Sequence, residues 1–340
     1  MHKKRVTIYD VAKEAGVSVA TVSRVLSKRK NIYIKETTRH KVLQVVKKLN
    51  YVMNPFAANL SRKRSNLIAL VYEGSDALLS SFYHVQLAQA IYNVLKPTEF
   101  NVILYAPKSE ELENVGLSLR AQGVEGAIFE AGQLDEQFIL NIDTAKYPYV
   151  LTGQKSKNSS INNVYVDNYN GLKLAFDYLF SLGHRKIGYV HSNLGFTANR
   201  ERYQGYRDSF FAHKLKYEKN YEVISPPGLF GGGASLEKIM AMKNRPTAFI
   251  CENDEKAIGI LKAALQKKVP IPETFSIIGF DDIALGQYVE PELTTIKIPM
   301  KEIAEVGVNY LISLIQNKKW KKMRKKIMPQ IVIRNSCKIL

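Results

Sequence analysis

The sequence predicts a small all-helical unit at the N-terminus, followed by an α/β core of two lobes. Three observations predict it. Two short apolar helical faces meet at a glycine within the first 26 residues. After residue 65, eight short apolar runs of strand character alternate with helical stretches. The charge is also uneven. Sixteen of the 49 Lys and Arg residues, but only three of the 31 acidic ones, precede Ser65, which places +13 of the net +18 there. A basic end on a nearly neutral body points to a polyanionic partner for that end.

The helical unit reads directly from "VTIYDVAKEAGVSVATVSRVL", Val6 to Leu26. Thr7 and Asp10 have the spacing of a capping pair, in which a side-chain oxygen satisfies a free N–H at a helix start. Ile8, Val11, Ala12 and Ala15 then fall on one apolar face. Gly16 stands where the chain must leave the helix through a left-handed turn, which glycine tolerates. Ser18 caps a second helix, with Val22 and Leu26 as its buried stripe and Val25 beside them. Two short helices joined by a tight glycine turn form a helix-turn-helix. The first residues of the second helix suit base edges in a major groove, while Ser, Thr and Arg reach phosphates. Val19 and Ala20 are small and apolar, suited to thymine methyls or close approach. Thr21, Ser23 and Arg24 suit backbone or mixed contacts.

The body is a succession of buried runs at 67–72, 101–106, 126–131, 149–153, 163–167, 186–191, 248–252 and 275–281. Short apolar runs separated by helices of about a dozen residues indicate parallel α/β sheets. They are too many for one small sheet, so two similar lobes are expected. Ligands in such folds bind beyond the carboxyl ends of the strands, which here means the cleft between the lobes. Glu73 and Glu130 end strands on that side. They either select a cationic or amino-bearing ligand or are simply solvated.

Several classes find no support. Cys251 and Cys337 are the only cysteines, and the six histidines have no metal-ligand spacing. "GLFGGGAS" (228–235) lacks both the lysine of a phosphate loop and the spacing of a dinucleotide fingerprint, and reads as a flexible loop. "KKWKKMRKK" (318–326) reads as a solvated loop or helix end. No apolar run approaches ~18 residues and no signal-peptide segment opens the chain, so a cytoplasmic protein is expected, with no membrane partner. No catalytic residue, metal or cofactor is expected, and the protein is not expected to be an enzyme. The core alone would also suit a solute-binding or sensor protein without a DNA-directed role, but that reading predicts an export signal and no helix-turn-helix.

The stretch from Val6 to Leu26 resembles the DNA-binding headpiece of the LacI/GalR family of bacterial transcription regulators. The likeness extends through a third helix, 35–49, and into "NYVMNPFAANL" (50–60), which resembles the family's hinge. It continues through "VDNYNG…GHRKIGYV" (166–190), "RYQGY" (202–206), "PTAFICENDEKAIG" (246–259), "IIGFDD" (277–282) and "PELTTIK" (291–297), which look like segments of the family's effector-binding core. That core resembles periplasmic sugar-binding proteins. The resemblance implies a headpiece over 1–50, a hinge and linker over 51–65, and a core over 66–340. Its N-lobe would cover about 66–163 and 297–325, and its C-lobe about 164–296 and 326–340.

The resemblance also implies a regulator, a repressor by type. It would bind a pseudo-palindromic double-stranded DNA operator as a homodimer, under control of a small polar effector, most simply a sugar or sugar derivative. Thr7, Ser18, Val19, Ala20, Thr21, Ser23, Arg24 and Asn31 would serve the headpiece's DNA contacts. Asn54 and Pro55 would start a short hinge helix, Ala57 would allow close approach in the minor groove, and Leu60 would wedge between base steps. By motif position, Arg202 would grip effector hydroxyls, Asn253 would be the contacting member of the "ND" pair with Asp254, and Asp281 would be a further contact. Phe230 falls near an aromatic that stacks on a sugar face. The sequence departs from the pattern in two places. The loop "EGSDALLSSFYH" (73–84) replaces an Asn-Pro-aromatic segment, leaving Phe82 and Tyr83 for the aromatic role. In the hinge, Met53 replaces the usual proline, and Ala58 stands where many members have arginine. After Arg334 only a few residues remain, so the heptad tail of tetrameric members is not expected.

Overall fold

The computed structural model describes residues 6–26, 33–52, 64–72, 81–108, 114–130, 142, 146–153, 155–156, 158–192, 194–226, 228–316 and 322–340. The chain divides into two compact units, Met1–Ser65 and Asn66–Leu340.

Among its described residues the first unit holds three helices, α1 (Ile8–Ala15), α2 (Val19–Leu26) and α3 (Glu36–Lys48). Thr7 and Asp10 form a reciprocal capping box at the start of α1, with the Thr7 N–H donating to Asp10 Oδ2 at 2.8 Å. Gly16 ends the helix at φ 64°, in the left-handed region where a Cβ is costly. Ser18 Oγ then accepts the Thr21 N–H at 3.1 Å, which starts α2. Val11, Ala12, Ala15, Val22, Val25, Val42 and Val45 make the core, with Ile8 and Leu26 packed at its edge. So small a core leaves each turn and cap a large share of the unit's stability.

The second unit is built from two six-stranded sheets. The first sheet draws on β1 (Leu67–Tyr72), β2 (Asn101–Tyr105), β3 (Gly126–Glu130), β4 (Tyr149–Gly153) and β5 (Asn163–Val166), with α4 (Phe82–Leu95) and α5 (Val115–Ala121) between them. The second draws on β6 (Ile187–His191), β7 (Glu222–Ile224), β8 (Ala248–Cys251), β9 (Ser276–Asp281) and β10 (Thr294–Lys297). Its helices are α6 (Asn168–Ser181), α7 (Thr197–Ala212), α8 (Gly232–Met240) and α9 (Asp254–Gln266). Helix α10 (Met300–Ile315) returns to the first sheet, packing on β3 and β4. Strands β11 (Arg324–Ile327) and β12 (Gln330–Val332) complete one sheet each.

The strand orders are β11-β5-β4-β3-β1-β2 and β12-β10-β9-β8-β6-β7. Among the described residues only the β10–β12 pair is antiparallel. The chain therefore passes between sheets three times, after β5, after β10 and after β11. The expected first crossing at 163/164 falls at the start of β5, which pairs in parallel with β4 and carries the first lobe on to Val166. One apolar cluster runs through both lobes, from Ile68 and Leu70 by way of Leu172 and Phe176 to Ile278 and Phe280.

Two expectations are corrected here. The basic run does not end as a solvated loop: Arg324–Ile327 is the edge strand β11, paired with β5. Lysines suit such an edge because they discourage pairing with another chain. Lys326 Nζ lies 2.8 Å from Asp167 Oδ2, and Arg324 donates to the carbonyls of Ser156 and Asn158 at 2.8 Å each. Residues 318–321 lie outside the described set. The glycine-rich stretch is not a flexible loop either. Leu229–Gly231 forms a 3-10 turn and Gly232 begins α8. There the glycines permit close backbone contact rather than motion.

Candidate functional site

Among the described residues all but one of the strand pairs are parallel, so the carboxyl ends of the central strands gather on one side of each sheet. Tyr72, Glu130 and Gly153 end β1, β3 and β4 there. In the second lobe His191 ends β6, Glu252 follows β8 and Asp281 ends β9. Two hydrogen bonds link the lobes beside these ends. The Phe82 N–H at the start of α4 donates to Glu255 Oε1 on α9 at 2.9 Å, and Gln86 Nε2 donates to the Asp282 carbonyl at 3.2 Å.

Arg202 is the centre of the second lobe's polar group. It projects from α7 and is only 7% exposed. Its Nε donates to Asn168 Oδ1 at 2.9 Å and its Nη1 to the Glu252 carbonyl at 2.5 Å. Its Nη2 lies 3.5 Å from Asp281 Oδ1, and the guanidinium sits 3.8 Å from the centroid of the Phe280 ring. A planar fork fixed on this many sides is pre-organised for a partner with paired oxygens.

Asp281 has φ 121°, a backbone state that residues with a side chain rarely occupy. Such strain costs about 1–3 kcal/mol and persists where the surroundings over-determine it. The next residue, Asp282, is tied to Arg334 Nη2 at 2.6 Å. Burial pushes the Asp281 carboxyl well above the usual carboxylate range, against the pull of Arg202.

The first lobe answers with Tyr83 and Glu130. Tyr83, half-buried at the start of α4, interacts electrostatically with Glu130, Asp281 and Arg202. Glu130 is buried, and burial raises its carboxyl to about 8, with only the Tyr83 hydroxyl opposing the shift. The folded protein thus holds a proton at Glu130 that the unfolded chain releases near its ordinary value of 4.5. Between about 4.5 and 8 the folded state binds more protons, so this group's contribution to stability falls as pH rises through that window. Glu130→Gln is expected to remove that loss, making the variant a few kcal/mol more stable than the parent at pH 8 but not at pH 5. Urea melts at the two pH values measure it.

The remaining expected contacts are placed differently. Asn253 is half-buried and caps α9, its Oδ1 accepting the Lys256 N–H at 3.0 Å. Asp254 is fully buried and ties α9 to the far side of the sheet, accepting Thr295 Oγ1 at 2.5 Å and the Ile283 N–H at 2.8 Å. Phe82 engages Glu255 through its backbone, and its side chain is largely exposed. Phe230 is not brought to the group: its ring is 99% exposed. Leu229 packs inward and Gly231 presses on Pro226, so the residue between them turns out to solvent. Glu73 lies outside the described residues. Two members of the site were missed in the sequence, Asn168 and Glu252. Each is a polar residue just after an apolar strand run, which was the available signal.

On the headpiece, Ser18, Ala20 and Arg24 are exposed on α2, while Val19, Thr21 and Ser23 are half-buried. Thr7 and Ser18 are engaged in the two caps. Asn31, Asn54, Ala57 and Leu60 lie outside the described residues.

A basic helix-turn-helix unit joined to a two-lobed core with a polar strand-end cleft defines a ligand-responsive DNA-binding protein. Comparison with known proteins gives the same class. Residues 7–54 match the bacterial regulatory proteins of the lacI family, and residues 176–337 match the periplasmic binding protein-like domain. A probable HTH-type transcriptional repressor, ExuR of Bacillus subtilis, is 32% identical over 311 residues, covering 91% of this chain and 92% of the relative. Catabolite control protein A of Staphylococcus epidermidis is 30% identical over 308 residues, covering 90% and 91%. Among solved structures, the Lac repressor dimer bound to operator and the anti-inducer ONPF matches with a TM-score of 0.84 at 27% identity, covering 98% of this chain and 99% of that one. The chain belongs to the LacI family of bacterial transcription regulators. It is a DNA-binding regulator with an effector-binding core. Among the described residues no helix is long and apolar enough to cross a membrane.

Proposed function

We propose that this protein is a repressor that binds a pseudo-palindromic operator as a homodimer and is controlled by a small polar effector held between the lobes by Arg202 and Asp281. The effector is a sugar or sugar derivative. The observation that carries the reading is the buried Arg202 fork, fixed by Asn168, the Glu252 carbonyl and Phe280, with Asp281 beside it at a strained strand end. A polyol offers paired hydroxyls that a guanidinium and a carboxyl engage in bidentate fashion. The likeness to named repressors and to an operator-bound dimer supports the DNA-directed half.

In the headpiece, Val19 and Ala20 are the base readers, and Arg24 is a phosphate or mixed contact with Thr21 and Ser23 around it. In the hinge, Leu60 is the minor-groove wedge, and Asn54 and Ala57 are further DNA contacts. The test is operator selection from a random DNA pool, followed by titration at several salt concentrations. Val19→Ser combined with Ala20→Gln is expected to change the selected half-site. Arg24→Ala is expected to weaken all sites alike and to lower the salt slope by about one. An unaltered selected operator in the double variant would remove Val19 and Ala20 as the readers.

A further inference from the structure

We propose that the effector carries an amino group whose ammonium is taken up by Glu130 while its hydroxyls engage the Arg202–Asp281 pair; this rests on the effector reading above. Glu130 ends β3 and is 7% exposed. Its carboxyl lies over the end of β4, where a Cβ on Gly153 would come within 2.6 Å of Oε1. Its Oε2 is buried and has no hydrogen-bond partner. No lysine or arginine among the described residues acts on it. Tyr83 interacts with Glu130 of the first lobe and with Arg202 and Asp281 of the second, so the two lobes' polar groups lie near one another.

The other buried acids nearby are accounted for. Glu252 has Lys256 Nζ at 3.0 Å and both the N–H and Oγ of Ser192. Asp254 has Thr295 and Ile283, and Glu255 has the Phe82 N–H. Asp281 has Arg202. Glu130 alone in this group lacks a cation or a full set of donors. A buried carboxyl with one oxygen unpartnered, no cation and only the Tyr83 hydroxyl to bond it is costly to ionise, and the group answers by holding a proton. A neutral sugar leaves that arrangement unchanged, and an acidic one adds a further negative charge beside Asp281. An ammonium supplies three donors and the missing positive charge. Its entry ionises Glu130, and the carboxyl proton leaves to solvent.

The experiment uses the full chain and matched probes: glucose and glucosamine, galactose and galactosamine, mannose and mannosamine, with glucuronate and galacturonate as acidic counterparts. Thermal shift ranks them and calorimetry measures the binders. At least one amino sugar is expected to bind tenfold or more tightly than its hydroxyl counterpart, with no shift from either uronate. Glu130→Gln is expected to cost that amino sugar at least tenfold while changing affinity for a neutral sugar less than threefold. The comparison within the unmodified protein stands even where the variant folds poorly. Binding of a neutral sugar or a uronate as tight as that of its amino counterpart overturns the proposal, as does the failure of every amino sugar to bind. Arg202-dependent binding of a neutral or acidic sugar would then leave the effector reading intact. A tight binder of any class that leaves operator affinity unchanged would count against the effector reading instead.

Discussion

Arg202→Ala is expected to lower effector affinity by a hundredfold or more while leaving a folded protein. The guanidinium supplies charge-assisted hydrogen bonds, each worth about 1.5–3 kcal/mol, and two of them lost together exceed a factor of a hundred. Within the protein the truncation strips Asn168 Oδ1, the Glu252 carbonyl and Asp281 of a donor, and Phe280 of its stacked partner. Leaving a buried charge unpaired would by itself cost about 3–5 kcal/mol. Asp281 avoids that cost by taking up a proton, because burial already holds its carboxyl well above the usual range. The net destabilisation should therefore be nearer about 2 kcal/mol. Arg202→Lys keeps the charge but loses the fork and the stack, and should fall between the two proteins in affinity. Calorimetry with the effector found in the sugar panel, alongside thermal melts, separates the two effects. Full affinity in Arg202→Ala would place the effector elsewhere.

Much of this architecture could be read from the residues, and the exceptions have physical causes. The eight expected strand runs all carry strands; seven are mostly buried apolar runs, and β2 is a half-exposed edge strand whose apolar residues still marked it. Strands β7, β10, β11 and β12 were not among those runs. β11 is four residues at a sheet edge, "RKKI", whose lysines suit an exposed edge and disguise the strand as a charge run. The first two headpiece helices were legible because their caps are local: Thr7 with Asp10, Gly16, and Ser18 with Thr21 all interact within four residues. The cleft was legible only in part. Arg202 and Asp281 are far apart in sequence, and their meeting depends on topology. The family pattern marked both, but it could not show that Asn253 also caps a helix through its Oδ1 or that Phe230 faces solvent. Glu130 was open to two readings from its position at a strand end. Its unpartnered Oε2 and its lack of a cation are properties of the packed lobe, invisible in the order of residues.

The glycine run "FGGGAS" yields the sharpest contrast between what composition suggests and what packing requires. Glycine serves equally where a chain must move and where two backbones must touch, and sequence alone does not separate these uses. Here Gly232, the first residue of α8, crosses Gly259 in the middle of α9. A Cβ on Gly232 would fall 1.9 Å from the Gly259 carbonyl carbon and 2.1 Å from its oxygen. No rotamer change relieves a clash with backbone, so Gly232→Ala must push the two helices apart. Overpacking of this kind costs about 1–3 kcal/mol and occasionally more, and a backbone contact belongs at the upper end. About 3 kcal/mol would lower the melting temperature by roughly 6–10 °C in a unit of this size. The displaced helix is also the one whose first turn carries Asn253, Glu255 and Lys256, the residues that cap it, meet Phe82 across the lobes and pair with Glu252. Effector affinity should therefore fall along with stability, although Gly232 itself touches none of these groups. The neighbouring Gly233 has nothing within 4 Å of its would-be Cβ. Gly233→Ala should leave effector affinity alone and raise stability by about 0.5 kcal/mol, the gain from restricting the unfolded chain and improving helix propensity. Melting curves of the two single variants, made side by side, decide the matter: shifts of the same sign and size would mean that the run is the flexible loop its composition suggests, and that the helix crossing carries no weight.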